Sequence, residues 1–217
     1  LKGAEAKMKE SLAQWITETR DVLLKQQNDP SLAWKELSDE TVISKGGATF
    51  KRTENGTWLA SGKNPRSDTY EIRSSLDSSQ LAGILIEASP HKSLQEIGLG
   101  RAGNGNFVLT GLDIRLESKN QKTPPIVLKL DSAKASFAQK DYPPSQVIRN
   151  ASNLTKKNST GWAVSGFDSS KSKSVRAMFL SKTPIQVPED AELVITMYHK
   201  SRFMDHNVGN FKIHYTE

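Results

Sequence analysis

The chain has 217 residues, with 30 Lys and Arg against 24 Asp and Glu, and it contains no cysteine. The lack of cysteine excludes a disulfide framework, a thiolate metal site and a covalent c-type haem within this sequence. No apolar run approaches the roughly 18 residues that a membrane-spanning helix needs, and no charged and then apolar leader opens the chain. We therefore predict no membrane insertion and a chain that is soluble as given, any export signal having been removed or lying upstream.

The net charge of +6 and the pI of about 9.4 raise the question of a polyanionic partner. The densest basic cluster, Lys156 and Lys157 followed by 171–176, is interleaved with Ser and Asn and lacks the alternating aromatic residues on which bases stack. We therefore predict no nucleic-acid partner. A solvated surface is the favoured interpretation of the charge, and contact with an anionic polymer such as an acidic polysaccharide is the alternative.

In chain order, the first predicted element is a helix over residues 4–27, and Asp29 and Pro30 end its pattern. Two interpretations of this helix stay open: it ends a preceding helical domain, which we favour, or it packs on the following domain as an integral layer. We assign residues 1–33 to the helix and a linker, and residues 34–217 to a single domain. The apolar stripe of the helix recurs at three- and four-residue spacing and contains Leu12, Trp15, Ile16, Val22 and Leu23.

From residue 41 the apolar pattern changes to a period of two, and short alternating runs are separated by turn residues. Asn55 and Gly56 form a strong hairpin signal between two of these runs. Many short strands, with no helical pattern between them, predict an all-β sandwich with jelly-roll strand order. The predicted strands cover residues 41–44, 48–53, 57–60, 69–74, 83–88, 106–117, 126–131, 133–138, 162–164, 175–180, 191–199 and 208–216.

Two polar segments interrupt this predicted sandwich. Residues 118–125 end in two prolines and are the natural place to divide the chain, but the flanking strands would then lose their partners. We therefore predict a long crossover there within one sandwich. Residues 165–174 are predicted to form the other long loop, and the most mobile one.

A loop rich in Gly and Asn leads into an alternating apolar run within residues 101–116. Gly103 and Gly105 are expected to take positive φ angles, which glycine adopts without strain. Residues 208–215 repeat the Gly-Asn-Phe sequence at the start of a second alternating run. The repeat predicts that these two runs are paired central strands of one sandwich.

No residue pattern indicates catalysis, so we predict that the chain is not an enzyme and has no cofactor, and we assign no metal-ligating residue. None of the four histidines lies at the spacing of a zinc site, and there is no Gly-x-Ser-x-Gly elbow. Residues 98–103 formally satisfy Gly-x-Gly-x-x-Gly, but they precede a strand and open no helix that would meet a phosphate. His206 follows Asp205, and we favour a ligand-contacting or loop-ordering role for it over that of a catalytic base.

The aromatic residues divide into two groups. Trp58 and Trp162 lie inside alternating runs, where packing in the core is the favoured interpretation and a sugar-stacking platform is the alternative. Tyr142, which two prolines follow, and Phe203 lie in predicted loops and are the aromatic residues most expected to be exposed.

A further set of motifs is rich in glycine, asparagine and small polar residues. It spreads across almost the whole of the predicted sandwich. The motifs are SKGGAT at 44–49, LASGKNP at 59–65 with DTY at 68–70, the run 98–109, GWA at 161–163 and the run 206–211.

In these motifs the chain resembles a domain of very large secreted proteins of planctomycetes and their relatives. In that family a c-type haem domain and conserved domains of unknown function flank a β-sandwich similar to galactose-binding and discoidin-type modules. The resemblance covers residues 34–217 and implies a galactose-binding-like fold in a bacterial, extracytoplasmic protein, either periplasmic or secreted. The chain departs from the family at Arg149 and Asn150, where relatives carry an acidic residue with glycine, so no calcium role carries over to this turn.

Together these observations lead us to expect a non-catalytic carbohydrate-binding or adhesion module of a larger protein. The alternative is a structural domain that docks the neighbouring haem and helical domains of the same protein. Loops at one end of such a sandwich hold the ligand, where planar polar side chains bond hydroxyl groups and an aromatic ring stacks beneath. For Asn104 and Asn106 we favour hydrogen bonds to neighbouring backbone groups, and ligand binding is the other interpretation. The candidate ligand-binding residues are Arg101, Asn104, Asn106, Tyr142, Phe203, His206 and Asn207.

Overall fold

The computed structural model describes four segments of the chain, 33–120, 123–154, 160–164 and 173–217. Strands dominate these segments, as the period-two pattern predicted. They are β1 (Lys35–Glu36), β2 (Ser38–Ser44), β3 (Ala48–Arg52), β4 (Trp58–Gly62), β5 (Asp68–Ser75), β6 (Gln80–Ala88), β7 (Val108–Leu109), β8 (Gly111–Ser118), β9 (Ile126–Val127), β10 (Leu130–Ala135), β11 (Trp162–Ala163), β12 (Val175–Gln186), β13 (Ala191–His199) and β14 (Asn210–Thr216).

Helical structure within the described segments is short. It consists of one α-helix, α1 (Ser145–Arg149), and two 3-10 turns at Gln95–Ile97 and Asn150–Asn153. The predicted N-terminal helix over 4–27 and most of the predicted loop 165–174 lie outside the described residues.

The strands form two large antiparallel sheets and one small pair. The seven-stranded sheet has the order β10-β12-β6-β14-β4-β3, and β1 also pairs with β14. The five-stranded sheet has the order β2-β5-β13-β8-β9, and β7 pairs with β11. Because every strand pair is antiparallel, each sheet can bury one face and leave the other to water.

The alternating apolar residues of both sheets meet in one core. In β14 these residues are Phe211, Ile213 and Tyr215, all of them buried. The ring of Phe211 stacks on the ring of Tyr70 in β5, with the two centroids 6.2 Å apart, so this contact joins the sheets. The chain is therefore an all-β sandwich, as predicted. The jelly-roll order, the galactose-binding-like subtype and the extent of one domain over 34–217 stay predictions.

The two strands that begin within or after the repeated Gly-Asn-Phe sequence do not pair with each other, so the predicted pairing was wrong. β8 lies between β13 and β9 in the five-stranded sheet, whereas β14 lies in the seven-stranded sheet. Each strand presents its apolar residues to the same core from opposite sides, which a period-two pattern cannot distinguish from pairing. The segments that precede them do meet, because Gly100 and Val208 form an isolated antiparallel bridge and the N–H of Gly209 donates to Leu99 O at 2.9 Å.

The predicted crossover at 118–125 was also wrong, because the strands on either side of it are neighbours. β8 and β9 pair antiparallel, with Arg115 opposite Val127. The chain changes sheets after β9: Leu128 is buried, its N–H donates to Ile114 O at 2.9 Å, and β10 then joins the seven-stranded sheet. The predicted strand 126–131 is therefore two strands in two different sheets.

The predicted positive φ angles of Gly103 and Gly105 can be compared with the structure. Gly105 has a φ of +75°, which confirms the prediction, and a Cβ atom there would lie 2.8 Å from the carbonyl oxygen of Gln95. Gly103 has no positive φ, and a Cβ atom there would meet nothing within 4 Å, so the prediction for it was wrong. We expect Gly105→Val to lower the free energy of unfolding by about 1 to 3 kcal/mol. Gly103→Val is the matched control and should change it little, as urea denaturation of both variants will measure.

Candidate functional site

Six of the seven predicted ligand-binding residues lie where three loops meet at one end of the sandwich, and Tyr142 lies in a fourth loop beside Phe203. Arg101 holds two of these loops together, because its guanidinium donates to Lys63 O at 2.7 Å and to Gly62 O at 2.8 Å. Its backbone N–H donates to Asn207 O at 2.8 Å in the third loop. The side chain of Arg101 thus acts as a bridge between loops in this structure.

Asn104 and Asn106 bond neighbouring backbone groups, which is the alternative that the sequence favoured. The side-chain oxygen of Asn104 accepts from the N–H of Asn106 at 3.1 Å. The side-chain oxygen of Asn106, a buried residue, accepts from the N–H of Phe107 at 2.8 Å and of Val164 at 3.1 Å. These bonds order the turn and hold it against Val164, the residue that follows β11.

Asn207 is fully buried, and its side chain joins its own loop to the loop that contains Asn64. Its Nδ2 donates to the side-chain oxygen of Asn64 at 2.8 Å and to Pro65 O at 2.9 Å. Its Oδ1 has no hydrogen-bond partner among the described residues. Because the side chain is enclosed, a structural role fits it better than contact with a large ligand.

Three of the predicted residues form an aromatic cluster, in which Phe203 is exposed and Tyr142 and His206 are half-buried. The ring centroid of Phe203 lies 6.3 Å from that of Tyr142 and 5.5 Å from that of His206. Phe203 is 38% exposed, and the guanidinium of Arg202 lies 5.0 Å from its ring centroid. His206 Nδ1 lies 2.7 Å from Met204 O but 3.7 Å from the nearest carboxylate oxygen of its neighbour Asp205, so a backbone carbonyl sets its orientation.

A second candidate site, which the sequence analysis missed, is a groove on the outer face of the seven-stranded sheet. It has a volume of about 970 Å³, within the range of ligand-binding clefts. Its floor is formed by β14, β6 and the start of β12, and its walls by the hairpin 53–57 and the loop 89–92. The one sequence signal for it is the alternation of β14, whose polar positions Asn210, Lys212 and His214 all line the groove.

Strand register places four groove residues in one row across the sheet. Lys51 of β3 is opposite Leu59 of β4, and Leu59 is opposite Asn210 of β14. The N–H of Ser89, which follows β6, donates to Asn210 O at 2.9 Å. Since neighbouring strands lie roughly 4.8 Å apart, the row spans about 14 Å and can contact several units of an extended ligand.

The floor of the groove contains unsatisfied polar atoms. Asn210 is 3% exposed, and its side-chain oxygen has no hydrogen-bond partner among the described residues. Nε2 of His214 is likewise buried without a partner there. Burial lowers the pKa of His214, so its imidazole is neutral at pH 7. A buried amide oxygen without a donor costs free energy, and a ligand that supplies a donor recovers it.

The carboxylates of the groove floor are already paired with cations. Glu87 accepts from Nε of Arg176 at 2.6 Å, and Glu36 accepts from Nζ of Lys212. The hydrogen bond from Lys212 lowers the pKa of Glu36. Both acids are therefore already engaged by cations of the groove itself.

None of the helices in the four described segments has the length and apolar character to span a bilayer. No group of three or more His, Asp or Glu side chains in these segments is close enough to hold a metal ion.

Comparisons with known proteins add little. No protein-family model matches this chain, and no curated protein matches its sequence. One similar solved structure is a hypothetical protein from Leishmania major, with 9% sequence identity and a TM-score of 0.17 over 81% of this chain and 80% of that chain. A similarity at this level supports no inference about fold or function, so the functional argument rests on the groove.

Proposed function

We propose that this chain is a non-catalytic carbohydrate-binding module of a larger extracytoplasmic bacterial protein, and that the groove of the seven-stranded sheet is its binding site. The observation that supports this most concerns Asn210, a residue that lines the groove and whose buried side-chain oxygen lacks a donor among the described residues. A sugar hydroxyl is a donor of the required kind, and an amide is a planar partner that can orient it.

The rest of the groove supports the same class of ligand. Hydroxyl pairs lie in both walls, Thr53 with Thr57 at 2.7 Å and Ser89 with Ser174 at 2.8 Å. Leu59, half-buried between Lys51 and Asn210 in the row, offers an apolar surface to the C–H face of a pyranose. Polar groups beside a small apolar surface in an open cleft suit an extended, hydroxyl-rich chain.

The finer parts of the proposal rest on the sequence motifs. The jelly-roll order is predicted from the many short strands, and the galactose-binding-like subtype and the extracytoplasmic location follow from the resemblance to the planctomycete domain. The proposal moves the binding site from the loop end to the groove, because Arg101, Asn104 and Asn106 are engaged in bonds within and between the loops.

Affinity electrophoresis of the full chain through gels that contain single neutral or acidic polysaccharides tests the proposal. We expect at least one polysaccharide to retard the chain, and Asn210→Ala to weaken that interaction about tenfold, because the amide oxygen contacts the ligand only in the groove. Asn104→Ala, an amide change at the loop end, is the matched control and should keep the wild-type affinity.

The opposite pattern, loss with Asn104→Ala and retention with Asn210→Ala, would place the site at the loop end. A chain that no polysaccharide retards would overturn the carbohydrate-binding function. Thermal unfolding of both variants checks that a loss of binding does not reflect a loss of fold.

A structural domain that docks neighbouring haem and helical domains is the second candidate function. Ile126 and Val127 favour it, since they are 40% and 49% exposed on β9 at the open edge of the five-stranded sheet. In that case Val127→Asp should weaken association with the flanking domains and leave any polysaccharide binding unchanged.

A further inference from the structure

We infer that the groove takes an acidic polysaccharide, with Lys51 and Lys92 binding its carboxylate or sulfate groups while Asn210 accepts a hydrogen bond from a neighbouring hydroxyl. This inference rests on the proposed carbohydrate-binding function and specifies the chemical class of its ligand. Three observations carry it: the charge of the groove, the position of its uncommitted cations and the contrast with the opposite face of the sandwich.

The groove has an excess of positive charge. Five Lys and Arg side chains line it against three carboxylates. Two of the carboxylates, Glu36 and Glu87, are each paired with a cation of the groove itself. Lys51 and Lys92 are exposed and have no ion-pair partner among the described residues. Their charges are available to an anionic ligand.

The uncommitted cations lie on either side of the buried amide. Lys51 is two strands away from Asn210 in the same row, with Leu59 between them. On the side of Asn210 away from Leu59, the backbone N–H of Ser89 donates to Asn210 O, and Lys92 lies three residues after Ser89. A ligand that lies along this row therefore meets an ammonium group, an apolar surface, an amide oxygen and a second ammonium group in turn. Lysine side chains are long and flexible enough to follow a charge that is repeated along a chain.

The outer face of the five-stranded sheet has the opposite balance. Arg73 donates to Glu71, Glu117 and Glu192 at 2.8, 3.0 and 2.8 Å, and Arg115 donates to Asp113 and Glu117 at 2.6 and 2.7 Å. Lys45 lies 3.8 Å from Glu71 and adds a third cation, so three cations face four carboxylates and the face has a net negative charge. A polyanion is repelled from this face and steered to the groove, so the charge asymmetry supports an acidic ligand at one defined site.

Polygalacturonate and its fully methyl-esterified form provide the direct test, because the two polymers share a sugar backbone and differ in charge. We expect the full chain to bind polygalacturonate about tenfold more tightly than the ester in affinity electrophoresis at low salt. Lys51→Ala combined with Lys92→Ala should weaken binding to polygalacturonate about tenfold and make its salt dependence shallower. The same double variant should bind the ester as the wild type does.

Lys119→Ala combined with Lys182→Ala is the matched control, since it removes the same net charge from exposed positions outside the groove. It should keep the wild-type affinity for both polymers. Equal loss with both double variants would mean that net charge alone drives binding, and would overturn the inference.

The remaining outcomes separate this inference from the proposed function. Equal binding of acid and ester, both weakened by Asn210→Ala, would overturn the acidic ligand and leave carbohydrate binding intact. Binding of a single-stranded oligonucleotide as tight as that of polygalacturonate, with no effect of Asn210→Ala, would overturn both. Failure of every polysaccharide to bind would likewise overturn both.

Discussion

Lowering the pH from 6.5 to about 4 is expected to reduce the free energy of unfolding by about 3 kcal/mol through a single side chain, His199. His199 is buried at the end of β13, and neither ring nitrogen has a hydrogen-bond partner among the described residues. Its ring centroid lies 4.7 Å from that of Tyr70 in the core. Burial, with a smaller effect of the Lys200 charge, lowers the pKa of His199 to about 3.

The direction of the effect follows from where the proton binds. In the unfolded chain the imidazole takes up a proton near its ordinary pKa of 6.5, whereas the folded chain keeps it neutral down to pH 3 or so. The unfolded state therefore binds more protons between these two values, and stability is highest above pH 6.5 and falls as the pH falls. One proton corresponds to about 1.4 kcal/mol for each pH unit.

Urea denaturation of the wild type and His199→Phe at several pH values between 7.5 and 4 will measure this effect. Phenylalanine keeps a ring against Tyr70 and removes the group that titrates. Below pH 6.5 the free energy of unfolding of the wild type falls with pH, and we expect this slope to be about 1.4 kcal/mol per pH unit shallower in the variant. Carboxylates paired in the fold, such as Glu117, whose pKa the hydrogen bonds from Arg115 and Arg73 lower against an opposing effect of burial, should cause the slope that remains. Identical slopes for the two proteins would contradict the assignment to His199.

Trp162→Ala is expected to lower the free energy of unfolding by about 3 to 5 kcal/mol, the second large effect. Trp162 has no exposed surface, and its ring meets Phe107 edge-on with centroids 5.0 Å apart. Its indole N–H donates to Phe137 O at 3.0 Å. The substitution would leave a cavity in the core and a carbonyl without its donor, and the free-energy losses of the two defects add.

Trp58→Ala provides the comparison for this prediction. Trp58 is only half-buried, and its indole N–H donates to the carboxylate of Glu40 at 3.2 Å while Arg52 lies 5.7 Å from the ring centroid. We expect urea denaturation to show a smaller loss of the free energy of unfolding for Trp58→Ala than for Trp162→Ala. The slope of that free energy against urea concentration should be unchanged in both variants. A Trp162→Ala protein with unchanged stability and no polysaccharide binding would instead identify Trp162 as a sugar-stacking platform.

The strands could be predicted from the sequence where one face is buried. β13 runs over Ala191–His199, the predicted range, and β5 over Asp68–Ser75 extends the predicted 69–74 by one residue at each end. The pairing of the strands could not be predicted, because alternation reports a buried face and carries no information about the neighbour. The predicted strand 106–117 divides at Thr110, whose N–H and hydroxyl both donate to Tyr198 O, so that β7 pairs with β11 and β8 with β13.

For the candidate site, the sequence alone determined that residues 101–106 form a loop and that Gly105 needs a positive φ, since both follow from local backbone chemistry. It also favoured a core position for Trp162 over a sugar-stacking one, and the structure confirms that Trp162 is buried. Whether a loop amide bonds its own backbone or a ligand was decided only by the tertiary structure, because the same residue types suit both. The groove, too, exists only in the tertiary structure. The residues of its row come from segments far apart in the chain, and only strand register and the loop after β6 bring them together: Lys51, Leu59, Ser89 and Asn210.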